Sequence, residues 1–272
     1  MDADLQRRVQ RYGWDKAADY YERFWQRQLE PAQSLLLTMS DPRPGERILD
    51  IACGTGLLTF RAAAMVGANG AVLGTDISDK MVEIGRARAA ERGDAHVTFA
   101  RMDAEAMTIP DASFDAALCG LGLMYVPDPL AALREMFRAV RPGGRAAAAV
   151  WGARANCGWA EIFPIVDSRV QSDVCPMFFQ TGTGDVLKGV FERAGFASVR
   201  AERIRTLLHY DSDEEAIGAA FIGGPVALAY SRFDEATRGE AHREYLRSIA
   251  PFAAGGGYDV PGEFVVAAGL RP

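Results

Sequence analysis

Histidine is scarce in this chain: three among 272 residues, His96, His209 and His242, far apart in sequence. The four cysteines, Cys53, Cys119, Cys157 and Cys175, form no C-x-x-C pair. A zinc centre is therefore not expected, and no metal is called for. Reduced thiols are the expectation, with Cys53 and Cys119 as small packing residues at strand ends. A basic excess is missing too. Thirty Lys and Arg against 36 Asp and Glu leave a net charge of −6, which offers no electrostatic footprint for nucleic acid. No apolar run reaches the ~20 residues that a membrane-spanning helix needs. The N-terminus is charged rather than signal-like, so a cytoplasmic protein is expected. Internal repeats and low-complexity linkers are absent. With 49% hydrophobic and 24% charged residues, the composition is that of an ordinary globular protein. Its length suits one large domain, or one domain with an elaborated part.

What is present is most concentrated in Ile48-Leu49-Asp50-Ile51-Ala52-Cys53-Gly54-Thr55-Gly56. This reads as a buried strand running into a glycine turn, with a helix beginning near Leu57. Such a turn lets a ligand approach the backbone at the carboxyl edge of a parallel sheet. Gly54 and Gly56 tolerate conformations closed to other residues and carry no side chain to block the approach. The helix start behind them offers unpaired N–H groups.

Further segments follow in order. Val72-Leu73-Gly74-Thr75-Asp76 is a second strand ending in an acid about 20 residues beyond the glycines, placed to accept ribose hydroxyls. Met102-Asp103-Ala104 closes a third strand. Phe114-Asp115-Ala116-Ala117-Leu118-Cys119 is a fourth, followed by Tyr125-Val126-Pro127-Asp128. A helix with Leu133, Met136, Phe137 and Val140 on its apolar face ends at Arg141-Pro142-Gly143-Gly144, and a fifth strand runs from Ala146 to Trp151. Each acid alone has an ordinary explanation: Asp50 as a cap or satisfied buried acid, Asp76 as a helix start, Asp103 as a surface turn. Their shared place at consecutive strand ends favours a site.

Together these segments, across roughly residues 45–152, resemble the motifs of class I S-adenosylmethionine (SAM)-dependent methyltransferases, in the branch with the ubiquinone and menaquinone biosynthesis enzymes. The resemblance implies an α/β Rossmann-like fold: a seven-stranded, mostly parallel sheet with helices on both faces. It implies SAM as cofactor, held by Tyr21, Asp50, Ala52, Gly54, Gly56, Asp76, Ile77, Met81, Asp103, Ala104 and Cys119, with Asp103 meeting the adenine amino group. A dinucleotide-dependent oxidoreductase is the competing reading. It wants a third glycine, where this chain has Leu57-Leu58-Thr59. Asp50 would also repel a pyrophosphate, whereas it suits the ammonium and sulfonium of SAM. A SAM-binding protein without turnover is the other alternative.

The chain divides into an N-terminal helical arm (1–40), the cofactor-binding core (41–152) and a C-terminal part (153–272). In the arm, Trp14, Ala18, Tyr21 and Trp25 form one helical stripe, which can serve as core face, as a lid, or as both. Trp14-Asp15-Lys16-Ala17-Ala18-Asp19-Tyr20-Tyr21 resembles the family's N-terminal pattern, which implies Tyr21 near the methionine end of SAM. In the C-terminal part a helix is expected at 184–194, a sixth strand at 197–210 and an antiparallel last strand at 263–270. Insertions 153–183, which include Phe163, Met177, Phe178 and Phe179, and 211–257, broken at Gly223-Gly224-Pro225, are expected to form a helical cap.

The implied chemistry is in-line transfer of a methyl group to a small-molecule acceptor, with positioning supplying much of the rate. A base is needed only for a weakly acidic acceptor. Many relatives carry histidine where this chain has Met124 and Tyr125, so the most obvious base is gone. Trp25, Met124, Tyr125 and His209 are the candidates for lining the acceptor site, and a monomer or homodimer is expected. The N-P-P-Y and D-P-P-Y motifs of nucleic-acid amino methyltransferases are absent.

Overall fold

Strands buried on both faces read as continuous apolar runs, because helices cover a parallel sheet above and below. In the computed structural model, which describes residues 2–170 and 178–272, that is how β1 (Arg47–Ile51) behaves: four of its five residues are buried. β2 (Ala71–Asp76), β3 (Val97–Arg101) and β4 (Phe114–Gly120) pair in parallel around it. β5 (Val140–Trp151) joins β4, with Ala146 through Val150 wholly inaccessible. β6 (Ala197–Tyr210) and β8 (Gly257–Leu270) complete the sheet in the order β3-β2-β1-β4-β5-β8-β6, with β8 antiparallel to both neighbours. The expected seven strands form this path. A two-residue strand β7 (Ala253–Ala254) pairs with β8 beside it, making eight.

Strand order reverses between β1 and β4, so a crevice opens outside their carboxyl ends, where open α/β sheets take ligands. The turns after β1, β2, β3 and β4 all discharge there. Helices α2 (Leu57–Val66), α3 (Asp79–Arg92), α4 (Pro129–Ala139) and α6 (Val186–Ala194) provide the layers between strands. Two boundaries differ from expectation. Val140 belongs to β5, not to the preceding helix: its backbone is extended (φ −76°, ψ 138°) and it pairs with Phe114. Pro142 two residues later disfavours helical geometry at Arg141, which helps end the helix. β8 starts at Gly257, six residues before the expected Glu263, because the Gly255-Gly256 turn folds β7 back onto it.

The arm is one helix, α1 (Ala3–Ser40), started by the Asp2 carboxylate accepting from the N–H groups of Asp4 and Leu5. Pro31 removes one helical hydrogen bond without ending it. Phe24, Trp25, Leu29 and Leu36 join the same apolar core as the sheet, so α1 packs as part of the molecule. The insertion after β6 supplies α7 (Asp213–Ile217), a π-helical turn (Gly218–Ile222), α8 (Ala227–Tyr230) and α9 (Glu235–Ile249). It covers α1 from outside, where a Cβ on Gly218 would stand 2.2 Å from the Phe24 ring. The earlier insertion contains α5 (Ile162–Asp167) and an aromatic cluster. Phe163 and Phe178 lie 4.9 Å apart, Phe178 and Phe179 4.8 Å. Cys175 and Met177 lie outside the described residues.

Candidate active site

The turn after β1 is built by left-handed backbone. Ala52 (φ 53°), Gly54 (56°) and Gly56 (94°) all adopt it, which is uncommon for alanine. This geometry turns the Gly54 N–H onto Asp76 Oδ2 at 2.9 Å, while Asp76 Oδ1 accepts from Ser78 N at 2.9 Å. The end of β2 and the glycine turn are thus tied through one carboxylate. Gly56 has a different task. A Cβ there would meet the Phe60 and Phe99 rings at 2.8 Å, so its missing side chain makes room for the core, not for a ligand.

Asp50 and Asp76 dominate the electrostatics. Asp50 is inaccessible; Thr59 Oγ1 donates to its Oδ2 at 2.6 Å, and its Oδ1 has no partner. Burial, opposed by the Thr59 hydrogen bond and reinforced by Asp76, pushes its carboxyl up to about 7. Burial likewise raises Asp76 to about 6 against three backbone hydrogen bonds. A buried carboxylate without a compensating positive charge is costly. Two such groups in one place make a pocket whose empty state favours protons and whose natural guest is a cation. The Tyr21 phenol, raised by burial and then by Asp76, Glu22 and Asp50, stays protonated and is available as a donor.

Beside these groups a cleft encloses about 960 Å³ of empty space, counting its open mouth, within the range of small-molecule sites. Ile77, Met102, Asp103 and Ala104, from the turns after β2 and β3, form part of its wall. Asp103 Oδ2 pairs with Arg7 Nε at 3.0 Å, and Arg7 Nη2 reaches Glu105 Oε2 at 2.8 Å. Helix α1 is fastened along the rim by further polar contacts. Asp15 Oδ1 accepts from Ser78 Oγ at 2.6 Å and Lys80 N at 3.2 Å; Arg11 pairs with Asp79; Glu22 holds Thr55 and Arg88. Trp14 sets its edge against Tyr21 and Tyr125, with centroids 5.7 and 5.2 Å apart.

Ten of the expected residues line this cleft: Tyr21, Trp25, Ala52, Gly54, Asp76, Ile77, Met81, Asp103, Ala104 and Tyr125. Five do not. Asp50 sits behind the wall, and Gly56 faces the core. Cys119 is 1% exposed in β4, its thiol pushed up to about 12 by burial, which leaves it inert. Met124 turns into the apolar core while its neighbour Tyr125 faces the cleft. His209 is remote: on β6 its ring pairs at 2.5 Å with Asp259, its register partner on β8, and its backbone bonds Gln28. Arg7, Gln10, Leu29, Glu105, Leu121, Trp159 and Pro225 were not foreseen as lining. One signal was available: all four tryptophans of the chain, Trp14, Trp25, Trp151 and Trp159, line this one cleft. Among the described residues, no cluster of three or more His, Cys, Asp or Glu is arranged to hold a metal, and no helix is long and apolar enough to cross a membrane.

Sheet order, glycine turn and strand-end acids define the Rossmann-like methyltransferase architecture. The YcgJ protein of Bacillus subtilis has the same fold, with a TM-score of 0.62 at 18% identity over 89% of this chain and 98% of that one. Residues 24–153 match the model of the ubiE/COQ5 methyltransferase family. A ubiquinone/menaquinone biosynthesis C-methyltransferase of Teredinibacter turnerae is 33% identical over 183 residues, 60% of this chain and 72% of that protein. Its namesake in Ectopseudomonas mendocina is 44% identical over 110 residues, 40% of this chain and 43% of the relative, so the chain spans less than half of that relative's length. The chain belongs to the ubiE/COQ5 methyltransferase family.

Proposed function

We propose that the chain is a SAM-dependent methyltransferase acting on a small-molecule acceptor. The observation that carries this reading is the pair of buried, uncompensated carboxylates at the glycine turn, Asp50 with a free buried oxygen and Asp76 on the cleft wall. That pair of anionic acceptors fits a ligand bearing an ammonium and a sulfonium. It opposes a pyrophosphate, so a nicotinamide cofactor is disfavoured. When bound, SAM supplies a methyl group on a sulfonium that is already a good leaving group. Asp76 is placed to accept ribose hydroxyls, Asp103 to accept the adenine amino group, and Asp50 to balance the cationic end. Tyr21, a protonated donor, closes the methionine end from α1.

The rest of the cleft belongs to the acceptor. Trp14, Trp25, Leu29, Leu121, Tyr125, Trp151, Trp159 and Pro225 are apolar or aromatic lining there, and Glu105, the carboxylate that also lines the cleft, is paired with Arg7 at 2.8 Å. These residues orient an apolar ring and exclude water; none serves as an ordinary base. An acceptor proton therefore leaves to solvent before transfer, which suits an acidic enol or phenol. Relatives named for C-methylation in ubiquinone and menaquinone biosynthesis make oxygenated rings of that kind the acceptors to test first. Calorimetric titration with SAM, S-adenosylhomocysteine, NAD and NADP tests the cofactor. Binding of the first two supports the reading, and binding of a nicotinamide cofactor alone overturns it.

A further inference from the structure

The acceptor end of the cleft contains an unsolved hydrogen-bond problem. The indole Nε1 groups of Trp25 and Trp159 are both inaccessible, and neither has a partner among the described residues. The side chains are buried, with 5% and 3% exposure. Buried indole N–H groups usually find an acceptor, and an orphaned one calls for an explanation. Here both belong to residues that line the same cavity. Three separate stretches bring the rings there: α1 carries Trp25, the end of β5 carries Trp151, and the following insertion carries Trp159. The Trp25 and Trp159 ring centroids are 6.1 Å apart, and Trp151 stands 6.0 and 4.8 Å from them. All three pairs meet edge to face.

We propose that Trp25 and Trp159 are the specificity-determining donors for the acceptor: their indole N–H groups hold its oxygen atoms while the rings enclose its apolar frame. This deepens the reading of the cleft as a methyl-transfer site and rests on it for what fills the other end. Neutral donors at these positions select against a cationic acceptor, which would meet two positive N–H ends. They also strengthen binding as an acceptor oxygen gains negative charge, since hydrogen bonds to an ionised acceptor are the stronger kind. That stabilisation takes the place of a side-chain base in bringing an ionised enol or phenol into the site. Both nitrogens are inaccessible in this arrangement, so contact with an acceptor oxygen requires the indole cluster to part.

The test uses the full chain saturated with S-adenosylhomocysteine and two probes of similar size, 2-acetylnaphthalene and 2-isopropylnaphthalene, in the second of which a methyl group and a hydrogen replace the carbonyl oxygen. The four tryptophans give four indole signals in a proton–nitrogen correlation spectrum. The ketone is expected to move the Trp25 or Trp159 signal, or both, downfield, and the hydrocarbon to move neither in that sense. Trp25→Phe and Trp159→Phe keep a ring and remove the donor. Each is expected to weaken the ketone about fivefold, the worth of one neutral hydrogen bond, and to leave the hydrocarbon within a factor of two. Should either variant fail to fold, Trp14→Phe and Trp151→Phe assign the signals by exclusion. No ketone-specific shift, or a shift confined to Trp14 or Trp151, overturns the proposal, as does equal weakening of both probes. Failure of S-adenosylhomocysteine to bind would instead overturn the cofactor reading, and the probe comparison is then made on the ligand-free chain.

Discussion

The affinity for SAM should fall steeply on mild acidification, because its cationic end competes with protons for two carboxylates. With Asp50 at about 7 and Asp76 at about 6, Asp50 is about half ionised at pH 7 and one-eleventh ionised at pH 6. Asp76 falls over the same interval from about ten-elevenths to one-half. If binding requires both charges, the affinity drops about 5.5-fold through Asp50 and about 1.8-fold through Asp76, about tenfold together. The ligand changes little in this window: a sulfonium does not titrate, and an α-amino group with a pKa of about 7.7–8.0 stays largely protonated. Calorimetry at pH 7 and pH 6, in buffers of differing ionisation enthalpy, should show the loss together with proton release on binding. Asp50→Asn keeps an oxygen for the Thr59 hydroxyl and should reduce the pH dependence to about 1.8-fold. Stability has a matching sign. The folded-state pKa values lie above the unfolded value, so these groups stabilise the ligand-free protein fully below the ordinary Asp range. That contribution is lost as pH rises through about 6 to 7. The melting temperature gained from SAM should accordingly be larger at pH 8 than at pH 6. An affinity that is flat, or that tightens on acidification of the folded wild-type protein, would refute the reasoning.

Asp76→Ala removes the acceptor proposed for the ribose; SAM affinity should fall by ~1.5–3 kcal/mol in a protein whose circular dichroism is unchanged. Unaltered affinity would move the ribose elsewhere. Tyr125→Phe keeps the ring packed against Trp14 and Phe178, at 5.2 and 5.3 Å, and should change acceptor turnover more than SAM affinity; a selective loss of cofactor binding would place the hydroxyl in the cofactor shell. Gly56→Ala forces a Cβ onto φ 94° and against Phe60 and Phe99, so thermal unfolding should show a loss of at least ~1–3 kcal/mol. A melting temperature equal to wild type would mean that the turn relaxes freely.

Much of the site was legible because its signals are local. A buried strand, a glycine turn and a helix start occupy consecutive residues, and the acids that close β2 and β3 follow from the spacing of strand, helix and strand. Those features carry Gly54, Asp76, Ile77, Asp103 and Ala104 to the sheet's carboxyl edge whatever the rest of the chain does. Periodicity also read the stripe of α1 that presents Tyr21 and Trp25. It gave no help in the irregular stretch after β4. There a rotation of one residue decides whether Met124 or Tyr125 faces the cleft, and packing puts Met124 in the core. His209 likewise had a suitable residue type, yet cross-strand register pairs it with Asp259 at the far side of the sheet.

The sequence alone therefore determined the fold class, the sheet edge that carries the cleft and its charge, since strand-turn-helix units and their spacing are short-range properties. The tertiary structure decided how the cleft is closed and which aromatic side chains line it. Arg7 meets Glu105 across 98 residues of chain, and tryptophans from α1, β5 and the following insertion converge on one cavity. Such meetings depend on how the long helix lies across the strand ends. That is fixed by the burial of Phe24, Leu29 and Leu36 against the common core, a sum of contacts that no local pattern records.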